Sequence, residues 1–244
     1  MTNKNQKTNR KKIVFMVQFA ILLAIEAVFC FTPLGSIPFT PLMVATLGMI
    51  PVIITALLLG TAAGSVMGLL AGIFSLIVWI FMPPPSFLII IFSPAVSGSF
   101  LSVIFCIVPR ILVGTITGLV YKLIIKINAK SKAVNTVACG ISAALGSFAN
   151  TALVLWGGYA IFYDSLSALF KSEFVAEKSE LIKWLSDALE VIGGNFTSET
   201  AALTAINTVV ITNGIPELIV SVIVGVGVCM PLRHILKKQN LLGN

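Results

Sequence analysis

Apolar residues dominate this chain in long runs, and polar residues fall in the gaps between them. The runs are Ile13–Phe31, Pro41–Leu59, Thr61–Phe81, Ser99–Lys126, Ala133–Phe162 and Ala201–Leu232. Each is near or beyond the roughly 20 residues that an α-helix needs to cross a hydrocarbon core. The pattern therefore predicts six membrane-spanning helices. Thr32–Pro38 carries prolines and a glycine that stop the first helix. Met82-Pro83-Pro84-Pro85-Ser86 is incompatible with helix interior, and Phe87–Phe92 is too short to span, so 82–98 is expected to be a loop or re-entrant segment. Pro109 should kink the fourth span.

The polar gaps differ in character. Residues 1–12 form a basic tail, and 237–244 form a second short one. Residues 163–200 are acidic, with Leu181, Leu185, Ala188, Leu189 and Ile192 on one helical face and Gly193-Gly194 after them. This loop helix either lies on the membrane surface or covers a pocket. The first apolar run resembles a secretory signal but is too long and has no A-x-A site after it, so it is expected to stay as a helix.

Charge sets the orientation. Lys4, Lys7, Arg10, Lys11 and Lys12 precede the first span, Lys122, Lys126, Lys130 and Lys132 surround the fourth loop, and Arg233, Lys237 and Lys238 follow the last span. Six spans place all of these on one side. Basic residues mark the cytoplasmic side, so both termini are expected there, in the cell membrane, with 163–200 outside. The expected fold is an all-α membrane protein: a six-transmembrane-helix bundle over 13–236 with an extracellular loop helix between spans five and six. A net charge of +7 would point to nucleic acid in a soluble protein. Only 10% of the residues are charged, however, and the cations sit at helix ends, so lipid is the expected partner and nucleic acid is not.

Within the spans the charges are few: Glu26, Arg110 and Glu217. Arg110 precedes Lys122 by 12 residues, about 18 Å of helix, which puts it near mid-membrane. Glu217 precedes Arg233 by 16 residues, about 24 Å, and Glu26 follows Lys12 by 14, about 21 Å. An arginine at that depth costs roughly 2.5–3.5 kcal/mol on insertion scales and must face protein or water with an anionic partner. Either Glu26 or Glu217 pairs with it structurally, or a ligand carboxylate does. Asn150, Thr151, Asn207, Thr208 and Asn213 cluster toward the outer ends of the later spans, where they either bind ligand hydroxyls and amides or bridge helices. Trp156 and Tyr159 lie nearby, at the level of an aromatic belt.

Other chemistry finds no support in the sequence. Cys30, Cys106, Cys139 and Cys229 lie in separate spans without metal-ligand spacing, so packing is their expected role and no metal or cofactor is expected. Hydrolase, zinc-protease and ATP-binding signatures are lacking, so the chain is not expected to be an enzyme. Gly60, Gly64, Gly68 and Gly72 recur every four residues, with Ala56 one step earlier. That stripe either packs within the chain or receives a partner subunit.

Several segments together carry a family resemblance: Pro51-Val52-Ile53-Ile54, Leu59-Gly60 and Gly64, Gly68-Leu69-Leu70-Ala71-Gly72-Ile73-Phe74-Ser75-Leu76, Phe92-Ser93-Pro94, Pro109-Arg110-Ile111-Leu112-Val113-Gly114, Asn150-Thr151 and Asn213-Gly214-Ile215-Pro216-Glu217. In this order the chain resembles the substrate-binding S components of energy-coupling factor (ECF) vitamin transporters, most closely the pantothenate-type members. It departs from that type at Thr61-Ala62-Ala63, where Pro-Lys is common, and in a longer acidic loop. The resemblance implies a vitamin site on the outer side and docking to a membrane coupling subunit that carries two ATP-binding subunits. Ala20-Ile21-Leu22-Leu23-Ala24 matches the family's small-xxx-small docking motif. Arg110, Asn150, Asn207, Asn213, Glu217 and Trp156 are the expected substrate-binding residues, and Ala20, Ala24, Gly64 and Gly68 the expected docking residues. The alternatives are an S component for a cobalamin-type or folate-type vitamin, or a structural or assembly membrane protein in which Arg110 is only ion-paired.

Overall fold

The computed structural model describes residues 2–32, 35–38, 44–83, 89–129, 131–164, 207 and 210–238. Eight helices are described: α1 (Thr2–Phe31), α2 (Ile50–Leu59), α3 (Thr61–Phe81), α4 (Ile89–Phe92), α5 (Pro94–Ser97), α6 (Leu101–Ile125), α7 (Lys132–Ile161) and α8 (Ile215–Lys238). Five stretches, in α1, α3, α6, α7 and α8, are long and apolar enough to cross a membrane. Buried positions make up 44% and 50% of the apolar windows of α6 and α7, but only 6% and 17% of those of α1 and α8. The bundle is therefore built around α6 and α7, with α1 and α8 at its edge.

The second predicted span is corrected. Its apolar run does not make one crossing helix. Ser36–Pro38 and Val44–Thr46 pair as a short antiparallel ribbon, Ser36 opposite Thr46. A 3₁₀ turn, Leu47–Met49, then leads into α2. From Leu47 to Leu59 the helix has 13 residues, about 20 Å, less than a hydrocarbon core. Hydropathy counts apolar side chains and does not report whether the backbone is helical. Pro51 at the start of α2 suits a first turn, whose N–H groups have no acceptor within the helix. Every residue from Pro51 to Leu58 is buried, so α2 is a core helix, apolar all round.

Gly60, with φ of +98°, turns the chain from α2 into α3. The stripe beyond it is an internal seam that encloses Gly64 and Gly68, two of the expected docking residues. A Cβ on Gly64 would strike Ala56 of α2 and the Gly114 carbonyl of α6. One on Gly68 would strike the Arg110 carbonyl, and one on Gly72 the backbone at Cys106 and Ile107. The contacts step backward along α6 as α3 advances, so the two helices run antiparallel with their backbones in touch.

The α6–α7 pair follows the same logic. Gly146 packs on Thr117, and Gly157 faces the Phe105 ring. Ser131 starts α7, its hydroxyl accepting the Val134 N–H at 3.3 Å. Before α8 the chain makes a wide π-type turn, Val210–Gly214, a form that recurs at functional sites. Of the predicted sixth span, 201–206 and 208–209 lie outside the described residues, as does the acidic region after Asp164 with its predicted loop helix.

Candidate functional site

Pro109 creates the first requirement of the site. It has no N–H, so the Phe105 carbonyl one turn earlier loses its helical partner. The Arg110 Nη1 donates to that carbonyl at 3.1 Å. The adjacent arginine thus satisfies the acceptor that the proline frees. The same guanidinium lies over the Phe92 ring, 4.8 Å from its centroid. Phe92 comes from the short helix α4, which the structure tucks into the bundle: Ile91 and Phe92 are buried, Phe92 stacks on Trp79 at 5.1 Å, and the Cys106 thiol donates to the Phe92 carbonyl at 3.4 Å.

Arg110 is only 9% exposed, yet among the described residues its Nε has no hydrogen-bond partner. Among the described residues four buried side-chain oxygens share this condition, those of Thr117 and Ser142 further along the α6–α7 seam and two that belong with Arg110. Glu26, on α1, is fully buried; its Oε1 accepts the Cys30 thiol at 3.4 Å, and its Oε2 accepts nothing. The Oδ1 of buried Asn150, on α7, also accepts nothing. Gly146 meets Thr117 and Gly157 meets Phe105, so the α6–α7 register brings Asn150 to the level of Arg110. Buried polar groups are nearly always paired, so unpaired atoms on Arg110, Glu26 and Asn150 together make this region the candidate site.

On the α8 side, Thr151 donates to Glu217 Oε2 at 3.4 Å, and Gly214 packs against Thr151. Asn213, in the π-type turn, is buried. Glu26 and Glu217 both interact electrostatically with Arg110. Side chains from α1, α6 and α8 therefore act on one charge, with Phe92 of α4 covering its flat face.

Two expected site residues lie apart from this cluster. Trp156 is 44% exposed, on the same outward face of α7 as Phe148. Its indole N–H donates to Oδ1 of exposed Asn207 at 3.3 Å. The pair links α7 to the chain ahead of α8 and does not join the buried polar groups. Conversely, Glu26 and Phe92 belong to the cluster but were not among the expected binding residues. Their signals were present in the sequence: Glu26 matches Arg110 in depth, and Phe92 opens the Phe92-Ser93-Pro94 segment.

Of the docking residues, Ala20 and Ala24 are exposed on α1, whereas Gly64 and Gly68 are enclosed in the α3 seam. Among the described residues no group of three or more His, Cys, Asp or Glu is placed to hold a metal.

The comparisons agree with this architecture. The family model described as "ECF transporter, substrate-specific component" matches residues 14–229. The Pantothenic acid transporter PanT of Lactococcus lactis subsp. cremoris is 29% identical over 165 residues, covering 66% of this chain and 79% of that protein. A match from the first span to the last, across every element that builds the Arg110 cluster, places this chain in the family of substrate-specific components of ECF transporters.

Proposed function

We propose that this chain binds pantothenate from outside the cell and delivers it to an ATP-driven ECF module in the cell membrane. The observation that carries the reading is Arg110: a buried cation with an unpartnered N–H, held by the Phe105 carbonyl and the Phe92 ring. A ligand carboxylate supplies the missing acceptor through a charge-assisted hydrogen bond. Asn150 and Asn213 serve the hydroxyl and amide groups that pantothenate also carries, and Glu217 is the resting counter-charge of Arg110. The lactococcal relative, by its name a pantothenic acid transporter, supports this choice of vitamin.

The test is a binding screen of the purified chain against water-soluble vitamins. Pantothenate should bind most tightly. Preference for a cobalamin-type or folate-type ligand would change the vitamin and keep the class; binding of none would favour an assembly role.

Delivery requires docking. Ala20 and Ala24 are four residues apart and exposed, so α1 offers a strip on which a partner helix can approach closely. The partner is a membrane coupling subunit bearing two ATP-binding subunits. Ala20→Leu with Ala24→Leu should abolish uptake in cells that express the module while leaving pantothenate affinity unchanged. Uptake at the normal rate would move the docking face elsewhere. The orientation has both termini in the cytoplasm, as the basic residues require. A cysteine at Asp164 should therefore react with an impermeant thiol reagent in intact cells, and one at Ala129 should not.

A further inference from the structure

We propose that Glu26 is a specificity-determining residue of the binding site, reading a hydroxyl of the ligand that Arg110 holds by its carboxylate. This rests on the pantothenate reading above and deepens it.

Glu26 is the most enclosed ionisable side chain of the cluster, with no exposed surface at all. A glutamate fully buried in an apolar helix is costly unless its oxygens are served. Here the service is incomplete. Oε1 takes a thiol S–H, a weak donor, from one turn along its own helix, and Gly48 packs beside it, where an added Cβ would come within 3.9 Å. Oε2 takes nothing. Had the carboxyl served only as a counter-charge, a hydrogen bond to the guanidinium would use both spare groups. Yet among the described residues Arg110 Nε and Glu26 Oε2 are each left without a partner. One is a cationic donor and the other an acceptor, and both belong to one electrostatic cluster. A single molecule with a carboxylate at one end and a hydroxyl further along satisfies both. An anion that lacks the hydroxyl satisfies only the arginine.

The position of Glu26 adds a consequence. It lies on α1, the helix that also carries the exposed Ala20 and Ala24. The helix proposed to dock therefore also contacts the ligand.

The experiment measures the affinity of the purified full-length chain and of Glu26→Gln for three probes: pantothenate and two analogues, each lacking one of its two pantoyl hydroxyls. Glu26→Gln keeps the shape and removes the charged acceptor. It should weaken pantothenate binding by about 10- to 100-fold, the range for a hydrogen bond to a charged group. It should leave one deoxy analogue bound as well as the wild type binds it. A change by the same factor for all three probes, in either direction, or no change at all, would make Glu26 a counter-charge or a bystander and overturn the inference while leaving the pantothenate reading intact. A wild-type chain that does not bind pantothenate overturns both together. If Glu26→Gln is not monodisperse, Glu26→Asp, which withdraws the carboxylate by one methylene, is judged by the same ratio of affinities.

Discussion

Two arginines in this bundle do similar structural work, and comparing them separates scaffold from site. Arg110 donates to the Phe105 carbonyl and lies 4.8 Å from the Phe92 ring centre. Arg233 donates to the Leu57 carbonyl, in the last turn of α2, and lies 4.4 Å from the Tyr121 ring centre. Each repairs a carbonyl that its helix leaves open, one freed by a proline and one by a helix end. The difference is in what remains. The Tyr121 hydroxyl donates to Asn135, whose amide in turn donates to the Ala129 and Ser131 carbonyls, so polar contacts around Arg233 continue into the α6–α7 turn. Around Arg110, the arginine's own Nε, one Glu26 oxygen and the Asn150 carbonyl oxygen have no partner among the described residues. Unspent hydrogen-bonding capacity, rather than charge or aromatic contact, is what singles out Arg110 as the centre of the candidate site.

The largest expected effect tests that difference directly. Arg110→Ala should weaken pantothenate binding by roughly 2–5 kcal/mol, about 30-fold to several thousand-fold. Arg110→Lys keeps the charge without the planar fork and should recover only part. Ligand affinity of monodisperse protein in detergent is the measurement. A well-folded Arg110→Ala variant with wild-type affinity would erase the distinction between the two arginines.

Arg233→Ala should do the opposite. Loss of the α2 cap and of the contact with Tyr121 should lower stability by about 1–3 kcal/mol. Affinity at the Arg110 site should stay within about twofold, because Arg233 contacts none of its members. Thermal unfolding recorded beside affinity separates the two outcomes, and a large loss of affinity at unchanged stability would show that Arg233 reaches the ligand.

The smallest effect sharpens the comparison at Glu217. If its charge competes with a ligand carboxylate for Arg110, Glu217→Gln should leave binding unchanged or slightly tighter. If the charge is there to stabilise the bundle, the same change should lower thermal stability whether or not pantothenate is present. Titrations with and without ligand decide between them.

Much of this site was legible in the sequence because depth is a one-dimensional property. Counting residues from the flanking cations placed Arg110, Glu26 and Glu217 at similar levels, and in the structure each carboxylate interacts electrostatically with Arg110. The membrane class, the C-terminal end of α1 and the ends of α3, α6 and α7 followed from apolar runs and breakers, whereas α1 begins at Thr2, well before its apolar run. Azimuth is less accessible. Trp156 has the right depth but faces outward, and it pairs with Asn207 instead of joining Asn150. The ribbon before α2 was missed because an apolar run carries no record of backbone pairing.

The sequence alone determined that this chain enters a membrane, which charges lie within its spans, and that glycines recur on one face of the third span. These depend on composition and on spacing along a single helix, and both are local. Only the tertiary structure decided that the glycine face meets α6 rather than another subunit, that α4 brings Phe92 beneath Arg110, and that Glu26 reaches the same cluster from the other end of the chain. Those outcomes depend on which helices lie side by side and in what register. The register follows from close backbone contact at Gly64, Gly68 and Gly72, a property of two helices together that neither stretch of sequence contains by itself.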